Sequence, residues 1–582
     1  MKLLYFEPKT ISPPEEVRQG NLPALGCIFA CALAAVVPLM VRGNSFGHDF
    51  DFHLLSWMET AKHWHEGVVY PHWAASANFG AGEPRFIFYP PGSWMLGALL
   101  GTLTSWTAAP ILLILLALFC CGVGMLALAR EYMPPAAATL AACIYTVNPY
   151  ALFNAYERAA YGELLAGAWM PLIVLYALRR RSSIAALALV FAAIWLTNAP
   201  AGVMAGYALV GVAVVAARFE RGPGPLIRAG VGGVLGLGLA SFYLVPAAYE
   251  RRWVEIARAV GPEMRVEDSF LFARGLGDFH AAVLRTASWI AVVVLAISAI
   301  ALVWAWRQRR SDPKGWPLLA ASVAMTIVVL YLLTQWSEFV WRAAPEMRFL
   351  QFPWRWLLLQ SVVMAVMVGY ALRTGRKWRV LTGVAAIVCL ALMVSAGMVA
   401  FYQPEDEDDT LAAQVATFRS GAGVEGTDEY TPLNADNSAI QKHLPEVRLV
   451  AAADGEVAGE SSQPNVEYQR GADELAGQVA VDRWQSEHMV VQVKAGQAGF
   501  AVLRLMEYPG WQVLVNSSEH TLRPRRRDGL TVVPIPQGTS RIEVKWRPTP
   551  DATWGRFATF ASLLVLMPVA LLERKRELST QV

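Results

Sequence analysis

The feature that most constrains this chain is its series of apolar runs of roughly membrane-spanning length. About 20 predominantly apolar residues form an α-helix that crosses the hydrocarbon core of a bilayer. By length and hydropathy we predict about twelve such runs, at residues 24–42, 108–128, 134–150, 165–178, 184–198, 201–217, 229–249, 284–306, 317–334, 354–372, 379–400 and 555–572. With 55% hydrophobic and 16% charged residues in a length of 582, the chain is too apolar for an ordinary soluble enzyme. The sequence therefore predicts an α-helical polytopic membrane protein.

The lysines and arginines predict how the chain is oriented. Cytoplasmic loops of membrane proteins carry an excess of Lys and Arg. Basic clusters occur here at every second loop, at residues 179–181, 218–228, 307–314, 373–379 and 574–576. We expect these loops on the cytoplasmic side. The loop after the first run is then expected outside, together with residues 150–164, 197–200, 250–283 and 335–353.

One further apolar segment, residues 93–106, would break this alternation if it crossed the membrane. It is interrupted by glycines and follows two prolines. We therefore predict a re-entrant or surface-lying helix within the external loop.

The composition changes after residue 400. Residues 401–553 are polar, contain no spanning run, and show short alternating runs separated by Gly, Pro, Asn and Ser. This pattern predicts a β-rich extracytoplasmic domain at 401–553. Residues 1–400 then form the transmembrane domain, and residues 554–582 form a final span with a cytoplasmic tail.

Two carboxylates follow the first apolar run directly, Asp49 and Asp51, with His48 and His53 beside them. An ionisable group near membrane depth is costly and is a functional candidate by default. The alternative is that these acids are solvated and cap the helix that follows. The apolar spacing of that helix favours a position in the membrane interface.

Four fragments of the loop 43–91 occur in a fixed order: Asp49 with His53, then GVVYPHW, NFGAGEP and FYPP. Together they resemble the first external loop of bacterial integral-membrane proteins related to the GT-C glycosyltransferases, a group often labelled after a pterin-synthase-related membrane domain. Residues 507–548 resemble the terminal β-sandwich of membrane glycosyltransferases of this broad type. The resemblance implies a multi-pass enzyme of the bacterial inner membrane that uses a polyprenyl-phosphate sugar. It also implies that an acid of this loop is the catalytic base.

Glycosyl transfer from a lipid phosphate needs a base for the acceptor hydroxyl, cations or a metal for the leaving phosphate, and an apolar groove for the prenyl chain. Asp49 holds the first position of the family pattern DxxxH, so we predict it as the base. Asp51 is the second catalytic candidate, either as a metal ligand or as a partner that raises the pKa of Asp49. His53 is assigned to substrate binding. His48 and Asp51 are the candidates for a divalent metal ion, with hydrogen-bonded structure as the alternative.

A second cluster, YERAAYGELL, contains Glu157, Arg158 and Glu163 just before a span. On the predicted outer face these residues are candidates for recognition of the sugar or the phosphate. The alternative is an interfacial helix whose acids lie near its start, where the macrodipole favours them.

A third cluster, MRFLQFPWRWLL, contains Arg348 and Arg355 at the predicted outer end of a span rich in Trp. Interfacial Trp residues usually form only the aromatic belt. An Arg just inside the belt must find an anion or extend to the surface. We predict that both arginines bind substrate, and that Arg355 holds the phosphate of a lipid donor.

These features predict an inverting glycosyltransferase that moves a sugar from a polyprenyl-phosphate donor to an acceptor hydroxyl outside the membrane. The acceptor is a glycan, a lipid or a protein, and membrane lipid is the surrounding partner. The formal net charge of +3 indicates no nucleic-acid partner. A transporter or flippase of a lipid-linked sugar is the first alternative, and a non-catalytic assembly subunit that binds glycan is the second.

Overall fold

The computed structural model of the protein describes residues 21–308, 313–373, 395, 397–407, 410–453, 466–471 and 474–579. Helices form most of the chain up to residue 371, and one long helix forms its end. The α-helices are α1 (Asn21–Arg42), α2 (Phe50–His65), α3 (Ala77–Gly80), α4 (Arg85–Phe88), α5 (Pro91–Leu103), α6 (Ala108–Arg130), α7 (Pro135–Thr146), α8 (Pro149–Tyr156), α9 (Tyr161–Ala166), α10 (Met170–Leu178), α11 (Ile184–Thr197), α12 (Ala199–Glu220), α13 (Gly224–Leu239), α14 (Ser241–Glu250), α15 (Asp278–Arg307), α16 (Trp316–Leu332), α17 (Glu338–Ala343), α18 (Leu357–Ala371), α19 (Leu411–Ser420) and α20 (Pro550–Ser579). Short 3₁₀ segments lie at Arg251–Trp253, Ile256–Val260, Val266–Asp268, Pro313–Gly315, Gln335–Ser337, Met347–Leu350, Pro353–Trp356, Asp428–Tyr430 and Asn437–Ala439.

Nine helices of the described residues are long and apolar enough to cross a membrane, which confirms the multi-pass prediction. The predicted run 229–249 corresponds to a pair of helices, Gly224–Leu239 and Ser241–Trp253, bent by 75°. The predicted run 184–198 is the shorter apolar helix Ile184–Thr197. The predicted run 379–400 lies outside the described residues apart from 395 and 397–400.

The segment 93–106 belongs to α5, which has 13 residues. At 1.5 Å per residue such a helix is about 20 Å long, shorter than a hydrocarbon core of about 30 Å. It packs against α2, where a Cβ at Gly97 would lie 2.1 Å from the Trp57 ring. The helix is therefore too short to cross a bilayer by itself.

Helix α2 is largely covered by other parts of the protein, and its position in the membrane interface stays a prediction. Its polar residues His53, Ser56, Glu59 and His63 are as buried as its apolar ones. Glu59 explains part of this burial, because its carboxylate accepts hydrogen bonds from the backbone N–H groups of Ala75 and Ser76 at 3.1 Å. The polar side of α2 therefore holds the loop that follows it.

The predicted β-rich domain is confirmed. Its strands are β1 (Val447–Val450), β2 (Gly477–Gln485), β3 (His488–Ala495), β4 (Gly499–Met506), β5 (Trp511–Val515), β6 (Ser518–Glu519), β7 (Leu530–Ile535) and β8 (Gly538–Trp546). They form a three-stranded sheet in the order β1-β4-β7 and a five-stranded sheet in the order β2-β3-β8-β5-β6, with antiparallel pairs throughout. Alternate residues of both sheets share one buried apolar core.

The β-rich domain packs on the loop that follows α2. The backbone N–H of Met506 donates to the carbonyl oxygen of Ala81 at 2.9 Å. The backbone N–H of His72 donates to Glu487 Oε1 at 2.7 Å. The loop 43–91 and the β-rich domain therefore lie at the same end of the helical bundle.

Candidate functional site

The start of the site is a backbone pairing between the residues before α2 and the residues after α8. The N–H of His48 donates to the carbonyl oxygen of Glu157 at 3.1 Å, and the N–H of Asp49 donates to that of Arg158 at 3.0 Å. This approach requires a glycine at position 47, because a Cβ there would lie 2.6 Å from the carbonyl oxygen of Glu157. The pairing fixes Asp49 next to the second predicted cluster.

Four side chains meet at Glu163, and we name them the Glu163 cluster: the buried Tyr150, Arg158 and Glu163, and the partly buried Arg355. Arg158 Nη1 lies 2.9 Å from Glu163 Oε2, and Arg355 Nε lies 3.4 Å from the same oxygen. The Tyr150 hydroxyl donates to Glu163 Oε1 at 2.5 Å. The glutamate therefore joins two arginines that are distant in the sequence.

Both arginines come from irregular backbone at the ends of helices. Arg158 lies in the break between α8 and α9, where Ala159 has a φ of +50°, and its Nη1 also donates to Asn154 Oδ1 at 2.8 Å. Arg355 lies in the 3₁₀ turn Pro353–Trp356, and its Nη1 donates to the carbonyl oxygen of Leu350 at 3.0 Å. The breaks allow long cationic side chains to turn into the protein instead of toward solvent.

The Glu163 cluster carries excess positive charge, since two guanidinium groups face one carboxylate. Asp49 acts electrostatically on Arg158, Arg355 and the phenol of Tyr89. Burial opposes the charge of Arg158, but Glu163 and Asp49 outweigh it and raise the pKa of that guanidinium. Asp49 therefore supplies the negative charge at the edge of the cluster.

His53 is the second unusual group of the site. Its side chain is 1% exposed, and neither ring nitrogen has a hydrogen-bond partner among the described residues. The ring lies between aromatic side chains, with centroid distances of 5.1 Å to Tyr161 and 5.7 Å to Tyr89. Burial lowers the pKa of His53 to about 4, against the opposing effect of Asp49, so the ring is neutral near pH 7. A buried polar group without a partner is costly, which makes His53 a candidate contact for a ligand.

Asp51 and His48 lie apart from the cluster. Asp51 Oδ1 accepts a hydrogen bond of 2.5 Å from Gln414 of α19, the helix that precedes the β-rich domain. His48 is exposed, and its ring lies 4.8 Å from that of Phe279. In the part of the chain that the structure describes, no group of three or more His, Cys, Asp or Glu side chains could hold a metal ion. The metal-binding role of His48 and Asp51 stays a prediction.

Glu157 and Arg348 complete the predicted set. Glu157 is buried, and burial raises the pKa of its carboxyl to about 7 although Arg158 acts in the opposite direction. Arg348 is exposed, and its guanidinium lies over the Phe349 ring at 4.9 Å. Of the two arginines predicted near this span, only Arg355 reaches Glu163.

The structure adds residues that the sequence did not single out. Tyr89, inside the FYPP fragment, contacts His53, and its hydroxyl lies 3.3 Å from the Cβ that Gly162 would carry. Arg85 is buried; its Nε donates to Glu83 at 2.7 Å and its guanidinium lies 4.6 Å from the Phe52 ring centroid. The fragments NFGAGEP and FYPP pointed to this part of the loop, but no spacing rule identified these side chains.

No protein-family model matches the chain, and no curated protein matches its sequence. Several distant solved structures resemble it, and two of them are described here. The oligosaccharyltransferase of Archaeoglobus fulgidus is 14% identical with a TM-score of 0.39, over 66% of this chain and 57% of that one. The arabinofuranosyltransferase AftD from Mycobacteria is 18% identical with a TM-score of 0.42, over 66% of this chain and 27% of that one. The chain thus spans about half of the archaeal enzyme and about a quarter of the mycobacterial one, and such distant likenesses do not decide the activity.

Proposed function

We propose that the protein is an inverting glycosyltransferase that takes a sugar from a polyprenyl-phosphate donor. Asp49 acts as the base, and the arginines of the Glu163 cluster hold the donor phosphate. The observation that carries this proposal is the pair of guanidinium groups, one buried and one partly buried, next to a carboxylate at the ends of candidate membrane spans. Buried cations at such a depth are expensive unless they meet an anion. The two distant structural neighbours are sugar transferases by name, but at their TM-scores they add no weight.

Of the two arginines in the Glu163 cluster, we favour Arg355 as the residue that binds the phosphate, because more of its N–H groups are without a hydrogen bond among the described residues. Its Nε has no hydrogen bond within the described chain, and only Nη1 donates, to the carbonyl oxygen of Leu350. A guanidinium has five N–H donors in a planar fork that fits phosphate oxygens. Arg158, by contrast, already donates to Asn154 and Glu163. Arg355 is therefore the primary ligand of the phosphate, and Arg158 adds charge behind it.

The proposed step keeps the local charge balanced. The acceptor hydroxyl oxygen attacks the anomeric carbon while the bond from that carbon to the phosphate oxygen breaks, and the hydroxyl proton passes to Asp49. The phosphate leaves with the bonding electrons and gains one negative charge, and Asp49 loses one. The total negative charge near the arginines is therefore the same before and after the step. During the step this charge moves from Asp49 to the leaving phosphate, where the arginines stabilise it.

Other residues of the site have supporting roles in the proposal. We assign the ring of His53, whose nitrogens have no hydrogen-bond partner among the described residues, and the hydroxyl of Tyr89 to hydrogen bonds with sugar hydroxyls. Asp51 ties α2 to α19 through Gln414 and orients the loop. One structure of the archaeal neighbour is described as a complex with Zn and sulfate. The step proposed here uses the side chains of the protein alone.

We assign the active site to the outer face of a bacterial inner membrane, on the basic-loop pattern of the sequence. The β-rich domain, which packs on the loop 43–91, lies on that face as well. The acceptor then approaches from the side of the β-rich domain, and the prenyl chain lies along the helices below Arg355.

The experiment uses the full-length protein in proteoliposomes with polyprenyl-phosphate mannose, glucose and arabinose as probes, and a membrane extract as the acceptor source. Release of polyprenyl phosphate is measured. Asp49→Asn keeps the volume of the side chain and removes its basicity, so we expect release to fall by about 10²- to 10⁴-fold with donor binding retained. Sugar-dependent lipid movement across the bilayer that continues in the Asn variant, without release, would instead identify a flippase.

A further inference from the structure

A cavity separate from the predicted active site lies at the junction of the apolar helices and the β-rich domain. Its volume is about 290 Å³, and its walls include Tyr70, Phe242, Trp546, Glu250 and Arg556. Segment 85–89 separates it from the predicted active site, since Ile87 lines the cavity and Tyr89 contacts His53. The proposed transfer reaction leaves this cavity without a role.

Glu250, which lines the cavity, belongs to a buried pair of acids with Asp551. Glu250 is 2% exposed and Asp551 is 5% exposed. Glu250 accepts hydrogen bonds from the hydroxyls of Tyr508 at 2.6 Å and Thr549 at 2.9 Å. Asp551 lies against the Glu250 carboxyl and receives no hydrogen bond from an N–H or O–H donor of the described chain. The two carboxyl groups form one buried acidic pair, and negative charge on it is unfavourable without a cation.

No cation of the described residues compensates this charge within ion-pairing distance of Glu250 or Asp551. A buried charge without a counter-ion is expensive, and it is retained where a ligand supplies the opposite charge. Around the pair, Tyr70, Phe242 and Trp546 present aromatic rings. Rings of this kind attract cations through their faces. The cavity beside Glu250 is therefore suited to a small cation such as an ammonium group.

The rim of the cavity has the opposite charge. Arg556 is exposed and has no carboxylate within ion-pairing distance among the described residues. It lies on α20, whose apolar span Pro550–Lys575 has 26 residues. That is about 39 Å of helix against a hydrocarbon core of about 30 Å, so the first turns of α20 reach the level of the lipid headgroups. Exposed Trp554 and Phe557 on the same turns fit this depth.

We propose that this cavity binds the zwitterionic headgroup of an amine phospholipid. The ammonium group lies at the Glu250–Asp551 pair, the phosphate lies at Arg556, and the acyl chains follow the apolar surface of α20. Glu250 and Arg556 both line the cavity, so one bound headgroup can contact an acid and a cation. The assignment concerns binding only and holds whether or not the Asp49 site transfers sugars.

The test is native mass spectrometry of the full-length protein released from phosphatidylglycerol nanodiscs doped with phosphatidylethanolamine. Both lipids have the phosphate, but only the second has the amine. We expect phosphatidylethanolamine to be enriched on the wild-type protein, and Asp551→Asn to abolish the enrichment. Because the amide also relieves the buried charge, Asp551→Asn should raise the Tm in lipid-free detergent, which a misfolded variant would not do.

Arg556→Gln removes the phosphate contact from the exposed rim, where it does not disturb the core. We expect retention of phosphatidylethanolamine to fall about tenfold or more. Arg285→Gln is the matched control, since Arg285 is also exposed and lies seven residues into the spanning helix Asp278–Arg307, away from the cavity. Equal retention of both lipids by the wild-type protein, or enrichment that survives Asp551→Asn, would overturn the proposal.

Discussion

The backbone N–H of Asp49 donates to the carbonyl oxygen of Arg158 at 3.0 Å, and with the neighbouring bond from His48 to Glu157 it brings the first and second charged clusters of the sequence together. The contact holds the base candidate by main-chain atoms rather than by its carboxylate. Both oxygens of that carboxylate are therefore left for the proposed chemistry. The position of Asp49 consequently depends on how closely the two backbone segments approach.

Gly47→Ala tests this dependence without touching an ionisable group. A Cβ at position 47 would lie 2.6 Å from the carbonyl oxygens of Tyr156 and Glu157, so the two segments must separate. We expect transfer to fall by about tenfold or more, because small misplacements of catalytic groups are costly. The assay is release of polyprenyl phosphate. Gly26→Ala is the control, since nothing lies within 4 Å of a Cβ there; equal activity of the two variants would refute the positional role of Gly47.

The fold was predictable because its strongest determinant is local. A run of about 20 apolar residues predicts a span regardless of its neighbours, and alternation predicts strands such as β8. The bent pair Gly224–Leu239 and Ser241–Trp253 was not predictable as a bend, since hydropathy gives the length of a run and no angle. The burial of α2 was missed for a similar reason. Its apolar spacing resembled an interfacial helix and gave no sign that Glu59 and His63 are covered by other parts of the chain.

The site was predictable only as separate fragments. Asp49, Arg158 and Arg355 each stood out as charged residues near the ends of spans. The sequence contains no signal that Arg355 meets Glu163, because that pairing depends on how two distant spans pack. Asp51 with Gln414 is a further case, since the partner comes from the linker before the β-rich domain. Gly47 gave no signal either, because its importance arises from the carbonyl groups that face it.

Glu157 predicts how stability changes with pH. Burial raises the pKa of its carboxyl from an ordinary value of 4.5 to about 7. Between these values the folded protein binds more protons than the unfolded chain, so the free energy of unfolding falls as the pH rises. The contribution of Glu157 to the free energy of unfolding is fully present below the pKa of the unfolded chain and is lost above about pH 7. It amounts to about 3 kcal/mol at most.

Glu157→Gln removes this titration. We expect the Tm of the wild-type protein in detergent to fall between about pH 5 and about pH 8, and the fall to be smaller in the Gln variant. Glu519→Gln, at an exposed position of β6, serves as the control. Parallel curves for the wild-type protein and Glu157→Gln would show that Glu157 does not titrate in this range.

The orientation of the chain gives a labelling prediction. Single cysteines at Ser518, in the exposed strand β6, and at Ser182, in the loop before α11, should react from opposite sides of the membrane. In sealed cells an impermeant thiol reagent should label the first and spare the second, because the basic residues next to Ser182 predict a cytoplasmic loop. The unsubstituted protein gives the background from its own cysteines. Labelling of Ser182→Cys from outside would reverse the topology.

The same assay addresses α5. A cysteine at the exposed Thr102 lies near the end of this 13-residue helix. Since the helix is too short to cross a bilayer alone, we expect no reaction at Thr102→Cys with a reagent confined to the cytoplasmic side. Reaction from the cytoplasm would show that the segment spans the membrane together with its neighbours. The basic loops could then alternate between the two sides only if the chain crossed the membrane once more, and the predicted outer position of Asp49 depends on that alternation.

The last prediction concerns the proposed phosphate ligand. Arg355 Nε pairs with Glu163 Oε2 at 3.4 Å and Nη1 donates to the carbonyl oxygen of Leu350, so within the described residues Nη2 remains for an anion. Arg355→Lys keeps the charge but loses the planar pair of donors, and we expect weaker binding of farnesyl phosphate with partial activity. Arg355→Ala should weaken binding by about 1.5–3 kcal/mol, the range for a charge-assisted hydrogen bond. Binding is measured on the purified protein in detergent.

Arg348→Ala is the matched control because it lies near the same span but is exposed, with its guanidinium over Phe349. We expect it to leave binding of farnesyl phosphate unchanged. If Arg355 only anchored the helix at the membrane interface, Arg355→Lys would bind farnesyl phosphate as well as the wild-type protein does. Arg355→Ala would then lower the protein yield more than the affinity for farnesyl phosphate. Equal affinities for the wild-type protein, Arg355→Lys and Arg355→Ala would remove Arg355 from the phosphate site and leave Arg158, which already shares Glu163, as the cation to test next.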